Sequence, residues 1–211
     1  MAKIPKPTHR TTVVSWNVTG ELSRYAYRNG YLNAGELLAD AIENSEGFDT
    51  RVFSVVYPML HLYRHFVELT LKDFIDLAVF VGPYVPDLYD GDQVKEKREK
   101  LSHDLGKAYD VVRSVVADVY NVTPTGAVQH VDDCCLALVE WFQERDRKGD
   151  SFRYTLNIKS EVQFPASFPV DLRWLRSCVK AFGVCMHDEH NALRAFLDPD
   201  ADDMEDRIYQ W

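Results

Sequence analysis

Apolar residues recur at steps of three and four along most of this chain, the spacing that places side chains on one face of an α-helix. The longest such segment runs from 52 to 81, and its apolar residues cover most sides of the predicted helix. Similar spacing predicts further helices over 22–43, 105–120, 128–142 and 172–196. The pattern therefore predicts an all-α fold.

Glycine and proline mark the interruptions of these helices. Asn29-Gly30 predicts that the first helix is broken or divided into two short ones, and Pro58 predicts either the first turn of the second helix or a kink. A charged helix is expected from about Asp92, and its second half, beyond Ser102-His103-Asp104, is expected to pack into the core. Ser102 or Asp104 has the right chemistry to cap it.

The last third of the chain predicts two further helices with a different element between them. Thr125 is expected to cap a helix that closes near Lys148-Gly149. From 151 to 168 apolar residues alternate, which predicts a short extended segment with Phe152 and Tyr154 on one side, as part of a hairpin or an ordered loop. Pro169 suits the first turn of the last helix.

Together these elements predict an all-α helical bundle of four to six helices, with a short extended segment or hairpin before the last helix. An extended N-terminal segment at 1–19 is expected to precede the helical domain at 20–197, and an acidic tail at 198–211 to follow it. The tail carries carboxylates before an aromatic end, Tyr209-Gln210-Trp211. It is expected to be solvated, or to dock on a basic surface through Tyr209 and Trp211.

Charge and composition narrow the classes of function. The 211-residue chain has a net charge of −9, which opposes a general electrostatic grip on nucleic acid, so any such site must be local. No apolar run is long enough for a membrane helix, and the first residues lack the apolar core of a signal peptide, which together predict a cytoplasmic protein. The four cysteines include no CxxC motif and are expected to be small buried residues.

The strongest candidate for chemistry is a polar stripe inside the 52–81 segment. His61, His65, Glu68 and Lys72 follow one another at steps of four, three and four, so they share one helical face, and Arg64 flanks them. Three explanations stay open. Glu68 pairs with Arg64 or Lys72 and orders the packing of neighbouring helices; Arg64 and Lys72 hold phosphate while a histidine moves a proton; or His61, His65 and Glu68 bind a metal ion.

Two other sites carry chemistry. His103 lies five residues after Arg98, and such a pair can bind phosphate and supply a general acid or base, although a solvated charged face has the same composition. Arg153 lies between Phe152 and Tyr154, where it either ties the segment to a carboxylate such as Glu68 or contacts phosphate while Tyr154 stacks on a base.

Glycine-rich phosphate loops, G-x-S-x-G and HExxH are all missing from the sequence. Nucleotide-hydrolysing, α/β-hydrolase and common zinc-peptidase functions are thereby disfavoured. Cys185-x-His187-x-x-His190 is a weak zinc motif, because its single cysteine lies in an apolar helical row. No cofactor and no metal are expected.

The motifs, taken in chain order, resemble the HEPN superfamily. They are Tyr57-Pro58-Met59, then Leu62-Tyr63-Arg64-His65-Phe66-Val67-Glu68-Leu69-Thr70-Leu71-Lys72, then His103-Asp104-Leu105, then Phe152-Arg153-Tyr154. The resemblance covers most of residues 20 to 197. It is similar to the branch in which a central helix carries a polar-E-x-x-L-K pattern, the next helix opens with His-Asp-Leu, and an Arg-Tyr motif precedes the final helix.

The resemblance implies a helical bundle that commonly forms a homodimer, in a superfamily rich in metal-independent endoribonucleases of toxin-antitoxin and antiphage defence systems. The catalytic signature of that superfamily is an arginine followed after four to six residues by a histidine. Arg98 and His103 fit this spacing, whereas no histidine follows Arg153 as far as Ser160. The expected partners are RNA, an antitoxin or another protein.

Two hypotheses of function stay open, a ribonuclease effector and a non-catalytic HEPN module that binds RNA, nucleotide or a partner protein. For the enzyme, the candidate catalytic residues are His65, Arg64 and His103. The candidate binding residues are Glu68, Lys72, Arg98, Arg153 and Tyr154. Arg153 and His103 are the groups expected beside Glu68 in the folded chain.

Overall fold

The computed structural model describes residues 21–45, 50–122, 129–154 and 169–197. These ranges form six α-helices and contain no strand, so the all-α prediction is confirmed. The helices are α1 (Glu21–Glu43), α2 (Thr50–Val81), α3 (Gly91–Glu99), α4 (Leu105–Val122), α5 (Gln129–Arg145) and α6 (Leu172–Arg194). A short 3-10 turn, Gly82–Tyr84, follows α2.

Helix α2 is the centre of the bundle. Helices α1, α3, α4 and α6 pack against it, and α5 packs against α4 and α6. Its buried side chains point to most sides and are Met59, Leu60, Tyr63, Phe66, Val67, Leu71, Phe74, Ile75, Leu77, Ala78 and Val81. The apolar surface on most sides of α2 is explained by these neighbours, because four helices pack against it.

The outer helices bury one stripe each. On α4 the buried residues include Leu105, Ala108, Tyr109, Val112, Val115 and Val119, and on α6 they include Leu175, Cys178, Val179, Phe182, Met186 and Leu193. Cys135 and Cys178 are buried, and Cys185 is half-buried. The described cysteines therefore behave as small core residues, as the sequence predicted.

Aspartates begin three of the helices. Asp90, Asp104 and Asp171 each accept a hydrogen bond from the backbone N–H three residues later, at 3.0, 3.1 and 3.0 Å. Each bond satisfies one N–H that the first helical turn leaves without a partner. The predicted cap at Asp104 is confirmed, and it places the preceding residue, His103, just before the N-terminus of α4.

The predicted break in the first helix is wrong, because α1 continues through Asn29 and Gly30. Gly30 is exposed, and nothing lies within 4 Å of the position that a Cβ would occupy there. The cost of a glycine in a helix is only about 1 kcal/mol. Packing of the other face of α1 on α2 outweighs it.

Two other helix boundaries differ from the prediction. The charged helix and the packed helix are two elements, α3 and α4, because Asp104 caps a new helix instead of continuing the old one. Of the two positions predicted for Pro58, the structure excludes the first turn, because Pro58 lies inside α2 at an exposed position. Pro169 precedes α6, whose cap is Asp171.

The first residues of the predicted segment form an ordered turn, which was one of the predicted alternatives, and are not extended. Residues 151–153 form a turn, in which the N–H groups of Arg153 and Tyr154 both donate to the carbonyl oxygen of Asp150 at 3.1 Å. Phe152 is buried and Tyr154 is exposed, so the two rings do not share one side. The remainder of that segment, 155–168, lies outside the described residues.

Other predictions also fall outside the described residues: the N-terminal segment at 1–19, the Thr125 cap and the acidic tail at 198–211. Among the helices that the structure describes, none is both long enough and apolar enough to cross a membrane.

Candidate functional site

The polar stripe of α2 lies between α1 on one side and two loops on the other. Tyr31 of α1 contacts His65 with a distance of 4.4 Å between ring centroids. His103, in the loop before α4, bonds Glu68 at 2.8 Å. The turn after α5 adds Arg153. Side chains from four separate parts of the chain therefore meet along this stripe.

Arg64 is the buried centre of the contacts beneath the stripe, with only 1% of its surface exposed. Its Nε–H donates to the carbonyl oxygen of Asp146 at 3.0 Å, and its Nη1 donates to the Glu68 carboxylate at 2.8 Å. Its Nη2 donates to the carbonyl oxygen of His103 at 2.6 Å. Arg64 therefore ties α2 to both loops, and its guanidinium is not placed to meet a ligand.

Asp146 and Gly149 complete this arrangement, and the sequence analysis did not single out either for the site. Asp146 is fully buried, and its Oδ1 accepts the N–H of Ser151 at 2.8 Å. Its Oδ2 lies 3.2 Å from Nε of Arg64, a contact of opposite charges without hydrogen-bond geometry, since that N–H points at the Asp146 carbonyl. Helix α5 ends at Arg145, earlier than predicted, where this network begins.

Gly149 lies against the Arg64 guanidinium. Its φ of +76° is in the left-handed region, and a Cβ at this position would come within 2.8 Å of Nη1 of Arg64. Glycine suits both conditions because it has no Cβ. The glycine at the end of a predicted helix was the only sequence signal for the part of the site that Asp146 and Gly149 form.

Glu68 is buried and accepts from three different side chains. Nζ of Lys72 lies 2.7 Å from Oε1, and Nδ1 of His103 lies 2.8 Å from the same oxygen, while Arg64 occupies Oε2. Burial alone would raise the pKa of this carboxyl, but the bonds and charges of Lys72, His103 and Arg64 outweigh it and lower the pKa to about 2. The predicted pairing of Glu68 with Arg64 or Lys72 is confirmed with both partners.

His103 is the most accessible group in contact with Glu68, because 53% of its side chain is exposed. We assign the donated proton to Nδ1, since its partner Glu68 is a carboxylate that only accepts. This tautomer leaves Nε2 as the nitrogen that can exchange a proton with a ligand. The expectation that His103 lies beside Glu68 is confirmed.

His65 and His61 lie side by side on α2, with ring centroids 5.8 Å apart and planes 21° from parallel. Burial lowers the pKa of His65, and the Nδ1 atom is buried with no hydrogen-bond partner among the described residues. Burial and the charge of Arg153 lower the pKa of His61 to about 4. Both imidazoles are therefore neutral at pH 7.

Arg153 belongs to the same cluster but does not contact the expected carboxylate. Its Nε lies 3.5 Å from Nδ1 of His61, and no bond joins it to Glu68 among the described contacts. Arg153 and Tyr154 are both exposed, whereas Phe152 packs against Phe142 in the core. The turn thus anchors one ring and leaves a guanidinium and a phenol at the surface.

Arg98 lies apart from His103, although their spacing fits a catalytic pair. Its Nε donates to Asp76 at 2.6 Å, and Arg24 of α1 contacts the same carboxylate at 3.3 Å. Asp76 follows Glu68 by eight residues, or about 12 Å along a helix. The structure therefore holds Arg98 and His103 on different carboxylates.

Metal binding was the third explanation of the stripe. Within the ranges that the structure describes, no group of three or more histidine, cysteine, aspartate or glutamate side chains is arranged to hold an ion. Both oxygens of Glu68 already bond protein groups, since Lys72 and His103 share Oε1 and Arg64 bonds Oε2.

Comparisons with protein-family models, with curated proteins and with solved structures give no match for this chain. The chemistry of the site is therefore argued from its own groups. They are an exposed imidazole on a buried carboxylate, a second imidazole that burial keeps neutral, and the cations Lys72 and Arg153. Such a set can hold an anion and move a proton to and from it.

Proposed function

We propose that this chain is a HEPN-like, metal-independent endoribonuclease, an effector of a toxin-antitoxin or antiphage defence system. The observation that supports it is the exposed His103 imidazole held by the buried Glu68 carboxylate, with Lys72 on the same oxygen. A carboxylate in this position orients an imidazole and fixes its tautomer. Lys72 and Arg153 supply positive charge for a phosphate.

In the proposed reaction, His65 and His103 have opposite roles. Neutral His65 takes the proton of a ribose 2′-hydroxyl, and the freed oxygen attacks the adjacent phosphorus. The bond from phosphorus to the 5′ oxygen breaks, and protonated His103 gives its proton to that oxygen. The products are a 2′,3′-cyclic phosphate and a 5′-hydroxyl. The assignment follows from the environments, because burial keeps His65 neutral, whereas the bond from Nδ1 of His103 to Glu68 leaves the Nε2 of this exposed ring to meet the leaving oxygen.

Arg64 has no catalytic role in this proposal. Its guanidinium is buried and its three described bonds all go to protein groups, so it cannot hold a phosphate without breaking them. It acts as a positioning residue: one bond goes to the carbonyl of His103 and another to the segment that leads to Arg153.

The second candidate function is a non-catalytic HEPN module that binds RNA, nucleotide or a partner protein. The observation in its favour is that Arg64, Lys72 and His103 satisfy Glu68 without any ligand. A network whose hydrogen bonds are satisfied by the protein itself can stabilise the fold without taking part in catalysis. Arg153 and Tyr154 would then be the groups that meet the partner.

The proposal includes a cytoplasmic homodimer that an antitoxin or another protein partner restrains. Sedimentation-equilibrium measurements at several protein concentrations test the first part, with a mass of twice the 24.3 kDa chain expected. If a partner normally restrains the protein, overexpression of this chain alone in bacteria should be toxic. That toxicity should be lost in His103→Ala.

The deciding experiment incubates purified protein with RNA oligonucleotides in EDTA. We expect cleavage to cyclic-phosphate ends, and we expect His103→Ala and His65→Gln to reduce the rate by about 100-fold or more, as loss of a general acid or base does. His187→Ala is the matched control, since His187 is an exposed histidine on α6, outside this site. Oligonucleotides with 2′-deoxyribose should stay intact because they lack the nucleophile.

Three results would overturn the proposal that the protein is a ribonuclease. They are intact RNA with the wild type, cleavage that His103→Ala leaves unchanged, and cleavage that EDTA abolishes. Intact RNA together with RNA binding that Arg153→Ala weakens would establish the second candidate.

A further inference from the structure

A row of four rings runs from α1 across α2 beside the proposed active site. The hydroxyls of Tyr27 and Tyr31 are 2.9 Å apart, and their rings meet edge to face at 5.3 Å. Tyr31 meets the edge of His65 at 4.4 Å, and His65 stacks on His61 at 5.8 Å. We call Tyr27, Tyr31, His65 and His61 the ring row.

The two ends of the ring row face water. Tyr27 is 53% exposed, and Arg153, which contacts His61 at the other end, is exposed as well. The Tyr27 hydroxyl bonds Tyr31 rather than a core group, so the ring is held in place without being covered. An exposed, immobilised ring such as Tyr27 can stack on a base, and Arg153 at the opposite end of the row can meet a phosphate of the same strand.

Three rings of the row, Tyr31, His65 and His61, are uncharged around neutral pH. Burial keeps both imidazoles neutral, and the hydrogen bond between the two tyrosines, followed by burial, raises the pKa of Tyr31 to about 12. Neutral aromatic rings do not repel a base, and Arg153 beside His61 supplies positive charge for another phosphate of the same strand. Its chemistry therefore fits a nucleobase better than it fits an isolated anion.

We propose that the ring row is a stacking wall for an unpaired nucleobase adjoining the phosphate held at His103 and Lys72, with Tyr27 as its exposed platform. This inference rests on the proposed function, since it takes the Glu68 network as the place of the phosphate. The ring row shares His65 with that site, so the base and the phosphate would lie on neighbouring groups. A paired base offers no free face, and the wall selects single-stranded RNA for that reason.

The test measures binding instead of cleavage, so it does not depend on catalysis. The probe is a fluorescent 2′-O-methyl hexanucleotide, which lacks the nucleophilic hydroxyl, and the same backbone without bases, both at one fixed salt concentration. We expect the wild type to bind the base-bearing probe about tenfold more tightly than the abasic one. Tyr27→Ala should abolish that difference, and Tyr27→Phe should preserve it.

Tyr84→Ala is the matched control, because Tyr84 has the same 53% exposure but lies after α2 in the Gly82–Tyr84 turn. It should bind both probes as the wild type does. Thermal unfolding confirms that each variant is folded, and Tyr31→Phe, which keeps its ring, should keep most of the preference for bases.

The outcomes separate the two proposals. Equal binding of both probes by the wild type, no binding of either, or equal losses in Tyr27→Ala and Tyr84→Ala would each overturn the stacking wall. A preference for bases that depends on Tyr27, in a protein that leaves ribose oligonucleotides intact, would support the wall and overturn the ribonuclease.

Discussion

Two arginines of this protein each bind several acceptors, yet they lie in opposite surroundings. Arg64 of α2 is 1% exposed and bonds Glu68 and the backbone of Asp146 and His103. Arg176 of α6 bonds three carboxylates of α1, namely Glu36, Asp40 and Glu43, of which the last two are exposed. We call these the buried network and the surface network.

The difference between them lies in what replaces a lost partner. Water replaces a lost partner in the surface network, so each of its ion pairs contributes little. Water does not reach the buried network, and removal of one member leaves a charge with no solvation. The buried network also connects segments 39 and 82 residues apart, whereas Arg176 joins two helices that already pack on α2. Arginine bonds of the same kind therefore fix the position of the loops of the site in the buried network, but not in the surface network.

The largest effect is expected from removal of Arg64. Arg64→Ala should lower the free energy of unfolding by about 3 to 5 kcal/mol, because it leaves Glu68 and Asp146 buried beside fewer cations. Arg176→Ala should lower it by about 1 kcal/mol or less. Urea unfolding of both variants measures the two values, and equal losses would remove the distinction between the networks.

A control separates charge from packing. Arg64→Met combined with Glu68→Leu and Asp146→Leu removes all three charged side chains together, and replacement of a whole buried ion network by apolar residues often restores stability. This triple variant should be more stable than Arg64→Ala. If it is not, lost packing rather than an unpaired charge explains the first result.

Acid should weaken the buried network next. The pKa of Glu68 is about 2 in the native state and 4.5 in the unfolded chain, so the native state stabilises the ionised form of this carboxyl. Its contribution, on the order of 3 kcal/mol, is fully present above about pH 4.5 and is lost as the pH falls towards 2. The difference in unfolding free energy between wild type and Glu68→Gln, followed from pH 6 to 2, checks this.

Glu36 provides the matched control in the surface network. Burial would raise the pKa of Glu36, but bonds from Arg176, Lys180 and Tyr63 lower it to about 2 as well. Because this network is partly exposed, salt should screen it. We expect 0.5 M salt to reduce the acid-dependent difference for Glu36→Gln and to leave that for Glu68→Gln nearly unchanged; equal salt effects would contradict the comparison.

Two histidines should lower the stability in mild acid, at a higher pH than the one at which Glu68 titrates. Burial first, with nearby arginine charge second, lowers the pKa of both His61 and His190 to about 4. Their unfolded pKa is about 6.5, so the unfolded chain binds protons that the native state does not, and stability falls as the pH drops from about 6.5 to 4. In His61→Gln, the free energy of unfolding should fall less steeply with decreasing pH between about 6.5 and 4 than it does in the wild type. Below about pH 4 the two slopes should be the same. Urea unfolding at a series of pH values measures both slopes.

A smaller effect is expected at Gly149. Gly149→Ala should destabilise the protein by about 1 to 2 kcal/mol, because φ is +76° and the new Cβ would press on the Arg64 guanidinium. Gly30→Ala is the opposite control, a helical glycine with open space around it, and should stabilise by roughly 0.5 to 1 kcal/mol. Thermal unfolding of both distinguishes a strained position from a permissive one; a neutral Gly149→Ala would contradict the described turn.

The smallest effect is expected from one exposed arm of the surface network. Asp40→Asn removes a carboxylate that lies 2.7 Å from Arg176 but is exposed to water. The change in unfolding free energy should be within about 0.5 kcal/mol. A loss above about 2 kcal/mol in urea unfolding would show that the surface network acts as a unit.

Part of the candidate site was readable from local spacing. The steps of four between Arg64, Glu68 and Lys72 predicted their pairing, and Asp104 predicted the start of α4, because both depend on neighbours within one helical turn. The first explanation of the stripe, in which Glu68 orders the packing, follows from that spacing and agrees with the burial of Glu68. The stacking of His61 on His65 has the same local origin.

Other features were not readable because they depend on residues far apart in the chain. Asp146 meets Arg64 across 82 residues, and nothing in its own neighbourhood indicates that it is fully buried. The expected contact of Arg153 with Glu68 was wrong because the turn at 151–153 brings the guanidinium to His61. The continuity of α1 through Gly30 likewise depends on its packing against α2.

The sequence by itself determined that this protein is all-α, that α2 is its central helix, and which polar residues share one face of that helix, since periodicity and capping act over a few residues. Tertiary structure alone decided that Arg64 is buried, that Asp146 lies beneath the stripe, and that Tyr27 and Tyr31 complete a row of rings beside it. The physical reason is that burial and long-range pairing depend on how the helices pack against one another, which no short stretch of sequence encodes.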